Sequence, residues 1–140
     1  MDRSKRLERL VDLSNTAERV AAQALARTNG DLQQYQTQLQ ELQAYRNEYQ
    51  SALTGGDGVV ITAYDAQKLR VFLQRIDAAI AQIEQMLANA ERRCELEREA
   101  WMKKRLRADA LEGVADRARH HEAGVAEQRL QREIDDLPHR

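Results

Sequence analysis

Residues 69–94 read LRVFLQRIDAAIAQIEQMLANAERRC, and apolar side chains recur in this segment at alternating steps of four and three. These positions are Leu69, Leu73, Ile76, Ile80, Ile83, Leu87, Ala90 and Cys94. Such a heptad repeat forms one apolar seam along a helix and is typical of a coiled coil. Proline breaks helices because it lacks an N–H donor, and the sole proline of the chain is Pro138. The sequence therefore predicts an all-α protein.

The helical pattern is interrupted by residues 54–62, TGGDGVVIT, which hold three glycines within four positions. Glycine in a helix costs about 1 kcal/mol relative to alanine. Thr62 followed by Asp65 approximates a capping box, which marks a helix start. We expect a first helix over about 2–53, a loop over 54–62 and a second helix over about 63–136, in one helical-hairpin domain spanning 1–140. Because the loop is short, the pattern predicts a long antiparallel two-helix coiled coil.

The first predicted helix carries a matching seam. Near the loop it comprises Leu32, Tyr35, Leu39, Leu42, Arg46, Tyr49 and Leu53, and earlier in the chain Leu7, Leu10, Ser14, Ala17, Ala21, Ala24 and Thr28. Two steps of four meet at Thr28, and such a stutter locally unwinds a supercoil. Asn29-Gly30 lies within it. We predict a continuous but weakened helix there; a turn at Asn29-Gly30, giving three helices, is the alternative.

The register of the hairpin depends on where the chain turns. If Asp57 is the turning point, the numbers of facing residues sum to about 114, and residues beyond about Glu112 have no partner. The seam also becomes polar after Cys94, where it reads Glu97, Trp101, Lys104, Ala108, Leu111, Ala115, Ala118, Glu122 and Val125. We expect a frayed C-terminal overhang, residues 115–140, that orders on a partner. Trp101 either anchors this weaker half or awaits a partner.

Composition narrows the function classes. The formal net charge is −1, and charged residues make up 32% of the chain, above the roughly 25% of average soluble domains. Acidic and basic residues are interleaved, and the basic run Lys103, Lys104, Arg105 and Arg107 spreads around the helix, which disfavours a nucleic-acid-reading face. Cys94 is the sole cysteine, so we expect a small seam residue in a reducing compartment. Neither a membrane-spanning run nor a signal-peptide core is visible, which favours the cytoplasm.

Catalytic and metal-binding patterns are weak. His120 and His121 are adjacent, so their side chains diverge by about 100° on a helix and cannot readily share a metal; His139 lies farther along. The glycine-rich loop has neither the preceding strand nor the Lys-Ser/Thr of a phosphate-binding loop. We expect no enzymatic activity, no metal, no cofactor and no small-molecule substrate.

Two stripes beside the loop are more apolar than a two-helix seam requires. Both follow steps of four, three and four; they comprise Gln38, Leu42, Tyr45 and Tyr49 in the first helix and Phe72, Ile76, Ala79 and Ile83 in the second. Each stripe combines seam positions with flanking ones, and flanking aromatic residues stay partly exposed. The stripes therefore predict a protein-docking surface. The alternative is that Tyr45 and Phe72 only close the seam beside the loop.

These segments resemble a known family. The resemblance is carried by Leu7-x-x-Leu10, Gln38-Leu39, Tyr45-Arg46-Asn47-Glu48-Tyr49-Gln50-Ser51-x-Leu53, the glycine-bearing loop, and Phe72 with Ile76, Ala79 and Ile80. Together they are similar to the flagellar export protein family FliJ, over essentially the whole chain in length and order of elements. The resemblance implies a fold similar to the gamma-subunit stalk of rotary ATPases.

The family resemblance also implies a role. Such proteins are non-enzymatic components of the flagellar type III export apparatus. They sit in the central hole of the hexameric export ATPase, promote its assembly, link it to the export gate and handle export chaperones. By this resemblance the two stripes, Gln38, Leu42, Tyr45, Tyr49, Phe72, Ile76, Ala79 and Ile83, would bind the cytoplasmic domain of the gate membrane protein, at the cytoplasmic face of the inner membrane. The apolar Ile83 puts any polar contact made at that position elsewhere in the family in doubt.

Other readings of the pattern remain. One is the related stalk protein of a virulence type III secretion system, and another is a structural coiled-coil scaffold. The stalk interpretation expects a mostly monomeric protein, whereas a scaffold would associate with copies of itself. A nucleic-acid-binding helical protein would instead show strongly salt-dependent binding.

Overall fold

A computed structural model describes residues 2–55, 58 and 60–138. Over this part of the chain there are two helices, α1 (Asp2–Thr54) and α2 (Ala63–Asp135). Parts of the predicted loop, including the expected turning point Asp57, and the remote His139 lie outside the described residues. The predicted fold class is confirmed: the protein is an all-α, antiparallel coiled-coil hairpin of two long helices. The expectation of one domain over 1–140 remains a prediction.

Both helix ends at the loop follow from local chemistry. Gly55 comes directly after α1 and has a φ of 72°, a left-handed conformation that other residues rarely adopt. Its N–H donates to the carbonyl oxygen of Ala52 at 3.4 Å. At the start of α2, the Thr62 hydroxyl accepts a hydrogen bond from the N–H of Asp65 at 3.1 Å. The predicted cap of α2 therefore forms, with the Asp65 carboxylate in the first turn, where the helix dipole favours negative charge.

Asn29-Gly30 does not interrupt α1, which is helical through both residues. The three-helix alternative is therefore wrong. Open space surrounds the position where a Gly30 side chain would begin. The helix accommodates this glycine at a solvent-facing position, so the glycine reduces local helix propensity without creating a turn.

The contacts divide the chain into two compact units, each of which pairs a segment of α1 with an antiparallel segment of α2. The terminal unit comprises Met1–Ala24 and Glu97–Arg140, and the loop unit comprises Leu25–Leu96. The core of the loop unit is the predicted seam, whose buried members include Leu73, Ile76, Ala90 and Cys94. The Cys94 thiol donates a hydrogen bond to Oδ1 of Asn29 at 3.0 Å. Cys94 is thus a core residue, as predicted.

The seam of α1 before Thr28 differs from the prediction at three positions, each displaced by one residue: Val11, Glu18 and Leu25 replace Leu10, Ala17 and Ala24. Val11 is buried, whereas the predicted seam residue Leu10 is 44% exposed. With these three residues the seam reads Ser4, Leu7, Val11, Ser14, Glu18, Ala21, Leu25, Thr28 and Leu32, and each of these side chains is buried or half-buried. Its steps alternate regularly between three and four, so the predicted stutter disappears. The stutter was a consequence of assigning Leu10, Ala17 and Ala24 to the seam in place of the residues that follow them.

The pairing register also differs from the prediction. Contacting residue numbers sum to 121 for Tyr49 and Phe72 and to 123 for Arg46 and Asp77, rather than to about 114. Half of these sums is about 61, so the centre of the pairing lies near residue 61. In this register the first turn of α2 extends past the end of α1. The prediction took Asp57 as the turning point and therefore placed the centre of the pairing about four residues too early.

This register lengthens the paired part of α2. Ser4 contacts Glu122, and Glu8 contacts Arg119. Ala115 is fully buried and Ala118 is also a core residue. The expectation that residues beyond about Glu112 lack a partner is therefore wrong. All described side chains from residue 123 to residue 138 are exposed, and α2 continues among them to Asp135.

Candidate protein-docking surface

All eight residues of the predicted docking surface belong to the loop unit. Four of them, Gln38, Tyr45, Phe72 and Ala79, directly precede a seam residue on their helix. In an antiparallel pair of helices, the positions that precede the seam on the two partners lie on the same side of it. We call these four residues the aromatic face. The shared heptad position explains how two helices contribute to one surface.

The two aromatic side chains of this face are open to solvent. Tyr45 is 54% exposed and Phe72 is 43% exposed. The Phe72 ring also meets the ring of Tyr49, with centroids 4.8 Å apart and an interplanar angle of 76°. This edge-to-face geometry is the favourable arrangement for an aromatic pair. Tyr49 therefore fixes Phe72 while leaving much of its surface available to a partner.

The other predicted residues lie deeper. Ile76 is buried and is part of the seam, so it cannot present its side chain to a partner, contrary to the expectation that the whole stripe forms contacts. Leu42 and Ile83 are half-buried seam residues. These three side chains therefore contribute to the packing between the helices. Sequence spacing alone could not separate them from the surface residues, because both kinds of position follow the same steps.

The opposite side of the loop unit is polar. The Arg46 guanidinium donates from Nε to Oδ1 of Asp77 at 2.6 Å. A shallow groove beside this pair is lined by Gln43, Arg46, Asn47, Asp77 and Ile80. Both charged side chains are about half exposed, so their ion pair contributes little to stability. The two sides therefore differ in chemistry: one displays aromatic rings and the other displays paired charges and amides.

The structure also identifies exposed residues that the sequence analysis missed. Val60 is almost fully exposed, and Tyr64 is exposed in the first turn of α2. The Lys68 ammonium lies 4.3 Å from the centroid of the Tyr64 ring, a cation–π contact. The apolar run 59–61 within a glycine-rich loop was the available signal, since loops seldom carry consecutive β-branched residues without a packing or docking role.

Charged contacts in the terminal unit cluster on one side. Arg119 donates to Glu8 at 3.1 Å, lies 3.6 Å from Glu112 and also pairs with Asp116. The hydrogen bonds that Arg119 donates to Asp116 and Glu8 raise the pKa of its guanidinium above the ordinary value. The contact with Glu8 crosses from α2 to α1 and is consistent with the antiparallel register of the unit.

A second polar contact involves Ser4 and Glu122. The Ser4 hydroxyl donates to Oε2 of Glu122 at 2.6 Å, and the Ser4 N–H donates to Oε1 at 3.3 Å. The hydroxyl contact is the main cause of the lowered pKa of the Glu122 carboxyl. Trp101 is anchored in a similar way: its ring is half-buried and its indole N–H donates to Glu18 at 2.8 Å. This contact supports the anchoring interpretation of Trp101.

The histidines considered for metal binding lie in the terminal unit. His120 and His121 are both exposed. Within residues 2–55, 58 and 60–138, no group of three or more His, Cys, Asp or Glu side chains is arranged to hold a metal ion. Neither helix, over its described residues, contains a segment apolar enough to cross a membrane. The described surface instead displays helix faces of different chemistry, such as the aromatic face and the polar side of the loop unit.

Comparisons with known proteins agree with these features. A family model described as "Flagellar FliJ protein" matches residues 3–140. The chain is 30% identical over 135 residues to the flagellar FliJ protein of Salmonella typhi and 29% identical over 135 residues to that of Escherichia coli strain K12. Each alignment covers 96% of this chain and 91% of the relative. No solved structure matches significantly. The coiled-coil pattern, the hairpin fold and the full-length match together show that this chain belongs to the flagellar FliJ protein family.

Proposed function

We propose that this chain is a non-enzymatic central stalk of the flagellar type III protein export apparatus. In this role it promotes assembly and activity of the hexameric export ATPase, links the ATPase to the export gate and handles export chaperones. Family membership supports a place in the flagellar export apparatus and favours it over a virulence secretion system. The proposed location is the cytoplasmic face of the inner membrane at the flagellar base.

The observation that carries the gate-binding part of the proposal is the unequal chemistry of the loop unit. Tyr45 and Phe72 expose apolar rings on one side, whereas Arg46 and Asp77 pair on the other. Aromatic side chains contribute much of the energy at protein interfaces, because they bury a large area at a small entropic cost. The aromatic face is therefore the part of this unit best suited to bind the cytoplasmic domain of the gate protein.

The terminal unit is the proposed ATPase-binding part. Beyond Glu122, the described side chains are all exposed, and they include Leu130, Ile134 and Leu137. An exposed helix with apolar side chains at such spacing can be ordered further by a surrounding protein. A single asymmetric hairpin inside a sixfold ring must contact the subunits unequally. Those unequal contacts would shift the populations of the nucleotide-dependent states of the ring.

Binding of the gate domain tests the proposal directly. We expect Tyr45→Ala combined with Phe72→Ala to weaken binding to the purified cytoplasmic gate domain at least about tenfold, because both ring contacts are lost. The double variant Asn47→Ala and Gln74→Ala changes exposed polar residues of the same unit and is the matched control. Circular dichroism monitors folding of both variants. Unchanged gate binding in the aromatic double variant would show that the docking surface lies elsewhere.

Turnover of the export ATPase tests the proposed stimulation of the ATPase. The unmodified chain should stimulate turnover and ring formation, and the Tyr45→Ala, Phe72→Ala variant should do so to nearly the same extent, because those residues lie in the loop unit. A scrambled coiled coil of the same length controls for generic helix binding. Equal stimulation by this control would contradict the stalk role and favour a passive scaffold.

A further inference from the structure

A groove in the terminal unit lies outside the residues beyond Glu122 on which the proposed ATPase binding was argued. It has a volume of 210 Å³ and is lined by Leu10, Leu13, Ser14, Ala17, Lys104 and Arg107. Its residues come from both helices, which pack against each other in this unit. The lining combines two leucines with two cations, and this composition distinguishes it from the aromatic face of the loop unit.

The groove arises from a defect in the seam. Lys104 occupies a heptad seam position but is exposed, and small side chains, Ser14 and Ala17, line the groove with it. Neighbouring seam positions are filled, by the half-buried Trp101 on one side and the buried Ala108 on the other. Close-packed seams leave few gaps, since each gap forfeits contacts. Because Lys104 points to solvent between two packed seam residues, it leaves a local opening that a side chain of another protein can occupy.

The charges of this groove are unsatisfied within the described part of the chain. Neither Lys104 nor Arg107 forms an ion pair there, whereas Arg119 and Arg105 of the same unit do. Two cations beside an apolar groove attract a carboxylate-bearing ligand. The opposite flank of the unit, where Glu8 meets Arg119, is already neutralised.

The leucines define the shape of the ligand. Leu10 is 44% exposed and Leu13 is 67% exposed, and they lie three residues apart on one face of α1. Two apolar side chains at this spacing form a slot that accepts an apolar side chain of a crossing helix. Two cations are few for a nucleic acid, whose binding depends on neutralising many phosphates, and the formal net charge of the chain is −1.

We propose that this groove binds an acidic amphipathic helix of a partner protein. An apolar side chain of that helix lies between Leu10 and Leu13, and flanking carboxylates pair with Lys104 and Arg107. This is the helix-in-groove mode of recognition, with specificity supplied by charge. The inference goes beyond the proposed stalk function, because its residues precede the segment beyond Glu122 that carries the proposed ATPase binding, and its test uses neither the export ATPase nor the gate.

A designed peptide provides the probe. It is a fluorescein-labelled 18-residue helix with leucines on one face and glutamates flanking them, titrated with the full chain and followed by fluorescence anisotropy. We expect saturable binding that weakens as salt is raised. Lys104→Glu combined with Arg107→Glu should weaken binding at least about tenfold, since attraction becomes repulsion. The same peptide with lysines in place of glutamates should bind this double variant better than it binds the unmodified chain.

Matched controls separate the groove from general surface effects. Leu13→Asp should abolish binding, whereas Leu96→Asp should leave it unchanged, although both leucines are 67% exposed. Lys103→Glu controls for a change of net charge next to the groove, and circular dichroism reports folding.

Three results would overturn the inference. The first is failure of the glutamate peptide to bind the unmodified chain. The second is an equal loss of binding in the control variants. The third is tighter binding of a single-stranded oligonucleotide or of anionic phospholipid vesicles than of the peptide. The gate-binding and ATPase measurements are independent of each of these results.

Discussion

Phe72 of α2 and Tyr49 of α1 pack edge to face, with the ring centroids 4.8 Å apart. The pair joins a seam residue to a residue of the aromatic face. It therefore couples the stability of the hairpin near the loop to the orientation of Phe72, an exposed side chain of the proposed docking surface. Tyr45, on the same face, has no such ring contact within the described residues and is more exposed.

A double-mutant cycle on Tyr49 and Phe72 should show a coupling energy of about 0.5–1.5 kcal/mol, the contribution of an aromatic pair beyond its buried area. Tyr49→Leu and Phe72→Leu retain apolar bulk while removing the ring geometry. Urea unfolding of the single and double variants measures the coupling. The corresponding cycle between Tyr45 and Phe72 is the control and should give a value near zero. Equal coupling in both cycles would contradict a specific Tyr49–Phe72 contact.

Much of the fold could be predicted because the seam is a repeated local signal. Leu73, Ile76, Ala90 and Cys94 were assigned to the core from their spacing, and all four are buried. The cap at Thr62 could also be predicted from local sequence. It requires only a hydroxyl three residues before the N–H that it accepts from, and Thr62 and Asp65 have this spacing. Each of these predictions needed only the few residues around it.

The errors concerned quantities that are not local. Leu10 and Val11 are adjacent and both apolar, and only the opposing helix decides which of them faces inward. The register depends on the path of a loop with three glycines, which spacing within the helices does not describe. For the docking surface, the spacing identified the exposed Tyr45 and Phe72 but also included the buried Ile76, because seam and flanking positions share the same period.

The register of α1 can be tested at its two adjacent apolar residues. Val11→Ala should lower the free energy of unfolding by about 1–2 kcal/mol, because it removes two buried carbon groups. Leu10→Ala should cost less, although it removes a larger group, because Leu10 is partly exposed. Chemical denaturation of the two variants makes the comparison. If Leu10→Ala lowered the free energy of unfolding more than Val11→Ala, Leu10 would be the seam residue and the predicted stutter would be correct.

The extent of pairing in α2 can be tested at Ala115, which is fully buried. Ala115→Leu should destabilise the protein by about 1–3 kcal/mol, because the opposing helix leaves no room for the larger side chain. Ala110→Leu is the control, since Ala110 is exposed on the same helix. Thermal or urea unfolding measures both. If Ala115→Leu were as well tolerated as Ala110→Leu, residues beyond about Glu112 would be unpaired in solution.

The contact between Ser4 and Glu122 makes the terminal unit sensitive to acid. Because the carboxylate accepts the Ser4 hydroxyl at 2.6 Å, its pKa in the folded protein lies below the ordinary value of 4.5. A lowered pKa means that the unfolded chain takes up this proton first as pH falls. The stabilisation is therefore complete above pH 4.5 and is lost as pH decreases through the lower, folded pKa.

Ser4→Ala removes the hydroxyl donor, so the pKa of Glu122 should rise towards 4.5 and the acid-induced loss of stability should become shallower. Carbon-13 NMR of the Glu122 carboxyl measures the pKa, and urea unfolding between about pH 6 and pH 3 measures the stability. Ser14→Ala, at a half-buried serine of the same unit, is the control and should leave the titration unchanged. An identical Glu122 titration in the Ser4→Ala variant and the unmodified chain would mean that the two residues are apart in solution. The paired region of α2 would then end before residue 122.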